Sequence, residues 1–408
     1  MTTARRRRPA RPRPRTHSDT DHGGTPMTDQ HRIARRVRNA AAAALVTVLA
    51  VTTAACSQKP VPSPPPVKSS ASGSKDSVDI GDLQNFLSQA PNWNADDWKK
   101  WASKNGFKPE DIEAIKSFWN KKKPADPKKN TSIAPDEKAP SIRDVVFPSV
   151  VQAKAQPHPY GADTAVIGKI FFESDEGTAV CSGTVVADPD HPGRSNLVWT
   201  AAHCVHGGKG KSYFTKLMFA PSYNRTGVTS SGKGQNATWE EVAPLGRWLA
   251  TDMLVMPQWT QEGNLVGTAA NQFDFAVIRV ASLDGSDISL EETVGSSVPI
   301  LFNAKPEDIT APKAYGYPAG KPYDGEELEH CDSTAKLTPF VFDRSRPPML
   351  AIGCSMTGGS SGGGWLTRQN GKPMLFSNVS IGDNGNRWQA GPTLGPDAKK
   401  MFDAFLAK

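Results

Sequence analysis

Residues 196–204 read NLVWTAAHC. A short apolar run, Leu197 to Trp199, leads through Thr200 and two alanines into a histidine–cysteine pair. That is the pattern of a buried strand ending at a chemically active turn. Runs of the same texture recur from about residue 150: AVIGKIFF (165–172), FDFAVIRV (273–280) and PMLFSNVSI (373–381). Gly, Pro, Asn and Asp turns separate them and helical stretches are few, so the region reads as an all-β sandwich or barrel. The closing DAKKMFDAFLAK (397–408) reads as one amphipathic helix.

Two further stretches bear on chemistry. Asp274 stands in NQFDFAVIRV, an acid just before a buried-looking strand, and Ser361 stands in GGSSGGG (358–364). Each feature is commonplace alone, since glycine–serine runs serve linkers and an isolated histidine is usually structural. Taken in the order His203, Asp274, Ser361, with TAAHC and GxSGG around the first and last, they resemble the trypsin/chymotrypsin-like serine peptidases. The resemblance covers residues 150–408.

It implies a double six-stranded β-barrel with a C-terminal helix, and a catalytic triad of His203, Asp274 and Ser361. A serine hydroxyl is a poor nucleophile near neutral pH and needs an adjacent base. His203 would take the Ser361 proton, and Asp274 would hold the imidazole tautomer. The N–H groups of Gly359 and Ser361 would form the oxyanion hole. The resemblance also pairs Cys181 with Cys204 and Cys331 with Cys354. GYPAGKPYDGEELEHC (316–331) looks closest to the bacterial and fungal glutamyl-endopeptidase-like branch.

The departures carry information. The floor of the specificity pocket falls on Ser355, where trypsins have Asp, which argues against Lys or Arg preference. Ser380, Ile381 and Gly382 take the place of the family's substrate-pairing strand. Val379 stands where the glutamyl branch has His, so Glu preference is unsupported too. Ser360 precedes the nucleophile where trypsin-like zymogens carry an acid that captures a new α-ammonium. An uncharged hydroxyl cannot hold that charge, so the oxyanion loop is expected to assemble without a cleaved N-terminus.

The formal charge of +7 is unevenly spread. Residues 1–40 hold eleven Arg against three Asp, whereas residues 145–408 hold 22 basic and 26 acidic side chains. The basicity belongs to the N-terminus, and a nucleic-acid partner is not expected. The basic HRIARRVRN followed by the apolar Ala40 to Ala55 reads as an export signal. Met27 opens a signal of ordinary length, so residues 1–26 read as an upstream leader or as a mis-started one. Small residues before Cys56 and a Ser/Pro-rich tether after it resemble a lipoprotein lipobox. Five cysteines leave one over in an oxidising compartment, and lipidation of Cys56 accounts for it.

The organisation expected is therefore leader and signal 1–55, tether 56–78, small helical segment 79–123, linker 124–149 and peptidase domain 150–408. Asn94 and Pro109 stand where helices would start, and Gly106 where one would stop. No cofactor is expected. A metal site of His203, Cys204 and His206 is conceivable on residue type but lacks HExxH or a second CxxC. The partner is a protein or peptide substrate, the state monomeric, and the location a bacterial cell surface through a lipid anchor, or the medium. Two rivals stand beside the exported endopeptidase. One is a catalytically idle module of the same fold that only binds; the other is a chain whose main role lies in residues 79–123.

Overall fold

The computed structural model describes residues 93–408 apart from 106–111, 122–128, 131–132, 137, 140, 175, 231–235 and 334–336. The export signal, Cys56, the tether and the positions of Gly106 and Pro109 lie outside the described residues.

Six strands close on themselves in the first half: β1 (Ile167–Ser174), β2 (Gly177–Val186), β3 (Leu197–Thr200), β4 (Thr215–Pro221), β5 (Trp248–Val255) and β6 (Ala276–Ser282). Their order is β2-β1-β4-β5-β6-β3, and β3 returns to β2 with Val185 opposite Val198. The first six residues of β1 are all buried, Lys169 among them. A barrel interior accepts one face of such a strand, and an outer layer must cover the other. The Lys169 ammonium is satisfied by the Gly325 carbonyl at 2.7 Å, by Glu326 at 3.3 Å and by the Tyr223 ring face 4.4 Å away. A buried cation needs such company, and these contacts tie the first barrel to the chain leading into the second half.

The second half contributes β7 (Lys313–Gly316), β8 (Glu329–Asp332), β9 (Thr338–Phe340), β10 (Met349–Gly353), β11 (Gly364–Gln369), β12 (Lys372–Asn378), β13 (Ile381–Gly382) and β14 (Trp388–Pro392). They form two sheets, β12-β11-β7-β8 with Lys154–Ala155 at its edge, and β9-β10-β14-β13. The sheets are joined outside the strand ladders. Cys331 of β8 is bonded to Cys354 just after β10, and the Ser355 N–H donates to the Val151 carbonyl at 3.0 Å. At the other seam the Ser377 hydroxyl donates to the Pro392 carbonyl at 2.7 Å. The whole is mostly β, with one continuously bonded six-stranded barrel and a second half closed by side chains, a disulfide and the strand-like run 149–155.

Among the described residues, three helices of ten or more residues pack outside. α1 (Ala95–Asn105) begins at Asn94, whose Oδ1 accepts the N–H groups of Asp96 and Asp97 while Asp97 accepts the Asn94 N–H. This reciprocal cap, with two acids in the first turn, satisfies orphan donors and suits the helix dipole. α2 (Ile112–Lys121) buries Trp119, which donates to the Lys216 carbonyl at 2.8 Å and sets its edge against Phe171. Burying such a side chain contributes about 1.5–3 kcal/mol. α3 (Pro396–Leu406) packs Phe402 against Trp199 and Phe302. The residues lining the crevice between α1 and α3 include Trp98 and Ala404.

The stretch 124–149, whose lysines and prolines give it a linker's composition, holds apolar anchors as well. Ile133 and Ile142 are 1% and 2% exposed, and the Phe147 ring stacks on Trp388 at 4.0 Å. At these anchors the stretch is packed into the protein.

One buried acid sets a pH response. Glu329 on β8 is pushed up to about 7, by burial first and then by the neighbouring charges of Glu327 and Asp324. Its folded pKa lies above its unfolded value, so its contribution to stability is present in acid and lost as pH rises through 7. Glu329→Gln is expected to flatten the fall in melting temperature between about pH 5 and pH 8. Thermal melts across that range check it; parallel curves for both chains would refute the assignment.

Candidate active site

β3 delivers the histidine. Its last residue, Thr200, donates through Oγ1 to the Ser182 carbonyl at 2.8 Å, and the chain then winds into a single 3₁₀ turn, Ala202–Cys204. Cys204 is bonded to Cys181 of β2. His203 is thus anchored on both sides, and it is 1% exposed.

Asp274 ends the 3₁₀ helix Ala269–Phe273 immediately before β6. Its Oδ1 accepts the His203 backbone N–H at 2.9 Å, and Oδ2 lies 2.7 Å from His203 Nδ1. Oδ2 also accepts the Ser380 hydroxyl at 2.6 Å and Asn271 Nδ2 at 3.4 Å. The Asp274 carbonyl accepts Asn378 Nδ2, and Asn378 in turn accepts the Trp199 indole N–H. A fully buried carboxyl group given this many donors has its oxygens satisfied and is aimed at one atom. With Nδ1–H committed to Asp274, the neutral ring presents Nε2 as an acceptor. Nε2 is buried and makes no hydrogen bond among the described residues.

Ser361 follows the loop from Cys354. Two glycines set its course. Gly359 has φ +98° and lies so near the Tyr317 carbonyl that a Cβ would fall 2.6 Å from that oxygen; at Gly362, φ +77°, a Cβ would fall 2.0 Å from Thr200 Oγ1. Only glycine fits either place. Gly362 therefore lies directly on the segment that leads to His203. Ser182 joins the pieces. Its N–H donates to the Ser361 carbonyl, its hydroxyl donates to the Gly359 carbonyl and accepts from the Tyr317 N–H, and its carbonyl receives Thr200. One residue of β2, next to the disulfide, holds both the histidine turn and the serine loop.

Ser360, 1% exposed, donates to the Thr357 carbonyl at 2.7 Å and accepts Gln389 Nε2 at 2.9 Å. Gln389 Nε2 also donates to the Met356 carbonyl at 3.1 Å. Neutral hydrogen bonds shape this loop.

A narrow cleft beside Ser361 is lined by Met356 to Gly358, by Val379 to Asp383 and by Gln389. Ser380, Ile381 and Gly382 thus share it with Ser361. Ser355 does not line it. The Ser355 hydroxyl accepts the Ala153 N–H at 2.9 Å and meets the Tyr323 hydroxyl at 2.8 Å. Asp383 is the acid in the lining, and its carboxylate is closed on Arg387. As for a metal, the Cys181, Cys204 and His203 ligand atoms lie within 4.8 Å of one another. Both sulfurs are spent in the disulfide, however, and Nδ1 faces Asp274. That donor set does not fit an ion. His206, the other residue considered, accepts the Gly208 N–H through Nδ1.

Ser182, Asn271, Asn378 and Gln389 were not singled out from the sequence. Ser182 carried a signal, its place after Cys181, and Asn271 a local one, its bonds to Thr268 and Asp274; Asn378 and Gln389 are polar residues in strands whose partners lie far away in the chain.

The mostly β architecture, with its closed six-stranded barrel and C-terminal helix, agrees with the fold that the sequence resemblance implies. Residues 152–256 match the family model described as lysyl endopeptidase, C-terminal domain, a span that includes His203 and ends before Asp274 and Ser361. Among solved structures, the chain is similar to the thermostable serine protease AL20 from an extremophilic microorganism, with 29% identity, a TM-score of 0.48, and coverage of 60% of this chain and 98% of that one. It is also similar to the protease Anisep from Arthrobacter nicotinovorans, with 29% identity, a TM-score of 0.48, and coverage of 63% and 100%. A Glu endopeptidase in complex with MPD aligns at 19% identity with a TM-score of 0.46, covering 64% and 100%. No curated protein matches the sequence.

Proposed function

We propose that the chain is an exported serine endopeptidase that cleaves peptide bonds through an acyl-enzyme on Ser361. The observation that carries this is the buried Asp274–His203 pair, whose unpartnered Nε2 belongs to a turn packed against the Ser361 loop. Ser361 Oγ attacks the substrate carbonyl while His203 Nε2 takes its proton. Asp274 fixes the tautomer and stabilises the imidazolium. The N–H groups of Gly359 and Ser361 receive the developing oxyanion, each worth about 3–4 kcal/mol. His203 then returns the proton to the leaving amine, and water repeats the sequence to release the acid. An extended peptide would pair with the backbone of Ser380 to Gly382.

The lysyl preference in the matched family's name is not carried over. Ser355 bears no charge and is bonded to Ala153 and Tyr323, and the Asp383 carboxylate is paired with Arg387. The peptidase body is 150–408, preceded by the helical segment. Labelling with a fluorophosphonate tests the reading: the wild-type chain is expected to take up the probe and Ser361→Ala is not. Failure of the wild-type chain and of variants with an opened cleft would favour the idle binding module.

For location, Cys56 would be the acylated first residue of the mature chain. Among the described residues no helix is long and apolar enough to cross a membrane. Cys56→Ala is expected to release the protein into the medium or to leave it unprocessed. Mass spectrometry of the mature N-terminus checks this, and a wild-type chain without an acyl group refutes it.

A further inference from the structure

We propose that residues 133–136 sit in the substrate groove as the chain's own occupant, so that the described structure is the latent form of the enzyme; this rests on the peptidase reading above. The Gly382 N–H donates to the Ile133 carbonyl at 3.0 Å. That is the backbone group a peptide substrate would use. Next in the chain, Ala134 and Pro135 pair in parallel with Val266 and Gly267, just before the 3₁₀ helix that ends at Asp274. A Cβ on Gly267 would fall 2.8 Å from Pro135 Cα, so its glycine admits the segment closely.

The segment therefore runs in extended form from the strand beside Ser361 to the run that precedes Asp274, as an added strand does. Ile133 anchors it. It is 1% exposed and lines the same cleft as Ser361, Met356 and Ile381. Ser361 and His203 are 3% and 1% exposed, too little for an incoming peptide to reach. Because the occupant is tethered, its effective concentration is about millimolar or higher, and a dilute substrate competes poorly with it. The block needs no special inhibitor domain. It needs only that Ile133 stay seated, and the same stretch is anchored again by the buried Ile142 and by Phe147 on Trp388.

Two measurements on the full chain test this. Hydrogen–deuterium exchange at Gly382, read in a Ser361→Ala background with and without Ile133→Asp, reports occupancy without catalysis. Exchange is expected to accelerate at least tenfold when a charge expels the segment. The rate of fluorophosphonate labelling, with and without Ile133→Asp, reports the block and is expected to rise at least tenfold. Ile133→Ser, a milder change, should move both readouts the same way by less, which separates release from misfolding. Unchanged exchange in both variants overturns the proposal. Faster exchange with labelling that was already rapid in wild type overturns the latency. Faster exchange with no labelling in any chain confirms the seated segment and overturns the peptidase reading instead.

Discussion

Replacing Ser361 with alanine in a chain freed of its Ile133 anchor is expected to lower kcat by about 10⁶-fold, and His203→Ala by a similar factor. The two residues act on one proton. Without the base the hydroxyl stays protonated, and without the hydroxyl the base has nothing to activate. The double substitution should therefore cost little more than either single one. What remains would come from the Gly359 and Ser361 N–H groups and from peptide binding, neither of which requires the triad. Steady-state hydrolysis of a peptide library followed by mass spectrometry gives the three rates. Full activity in Ser361→Ala, or strictly additive losses, would end the assignment.

Asp274→Asn is expected to cost about 10⁴-fold in kcat with little loss of stability. The side chain keeps its size, and its oxygen can still accept from the Ser380 hydroxyl or the His203 backbone N–H. Its NH₂ group cannot accept the proton on Nδ1. The ring is then favoured in the tautomer with a hydrogen on Nε2, where the base is required. A carboxylate that only braced the fold would behave differently: its loss would lower the melting temperature and leave the pH profile of kcat/KM in place. The expected result is the reverse, a steep kinetic loss with near-normal melting. A drop of less than tenfold would place Asp274 outside the machinery.

Much of this was legible in the chain, for physical reasons that differ by residue. NLVWTAAHC announces its own ending because an unbroken apolar run must be buried and a histidine directly after it must lie at a rim. The glycines near Ser361 are legible because few other residues tolerate such backbone; φ is +98° at Gly359 and +77° at Gly362. Asn94 shows itself as a cap because its partners, Asp96 and Asp97, are local. Asn378 and Gln389 were silent because their bonds join positions distant in the chain, as is Ser380, which Asn271 reaches besides its local partners Thr268 and Asp274. Gln389 reaches a loop 29 residues away, and Asn378 one 104 residues away. The same limit hid the seat of Ile133. Its surroundings, KKKPADPKKN and APDEKAP, have a linker's composition, and one isoleucine does not reveal a groove formed by residues more than a hundred positions later. The two-sheet character of the second half was hidden likewise, since period-two patterning does not specify which strands pair.

Ser360 has a consequence for the front of the molecule. Its hydroxyl holds the loop through two uncharged partners, the Thr357 carbonyl and Gln389. Val166 and Ile167 accordingly sit within an unbroken run of chain, their carbonyls receiving Val185 and Ser222. On the peptidase reading, the loop's shape then asks nothing of a freshly cut end. A cut upstream of Ile133 would leave both the loop and the seated segment as they are, and only a cut beyond it would change what the groove holds. A chain so arranged could be moored by its leading end, with its release set by where the mooring line is severed.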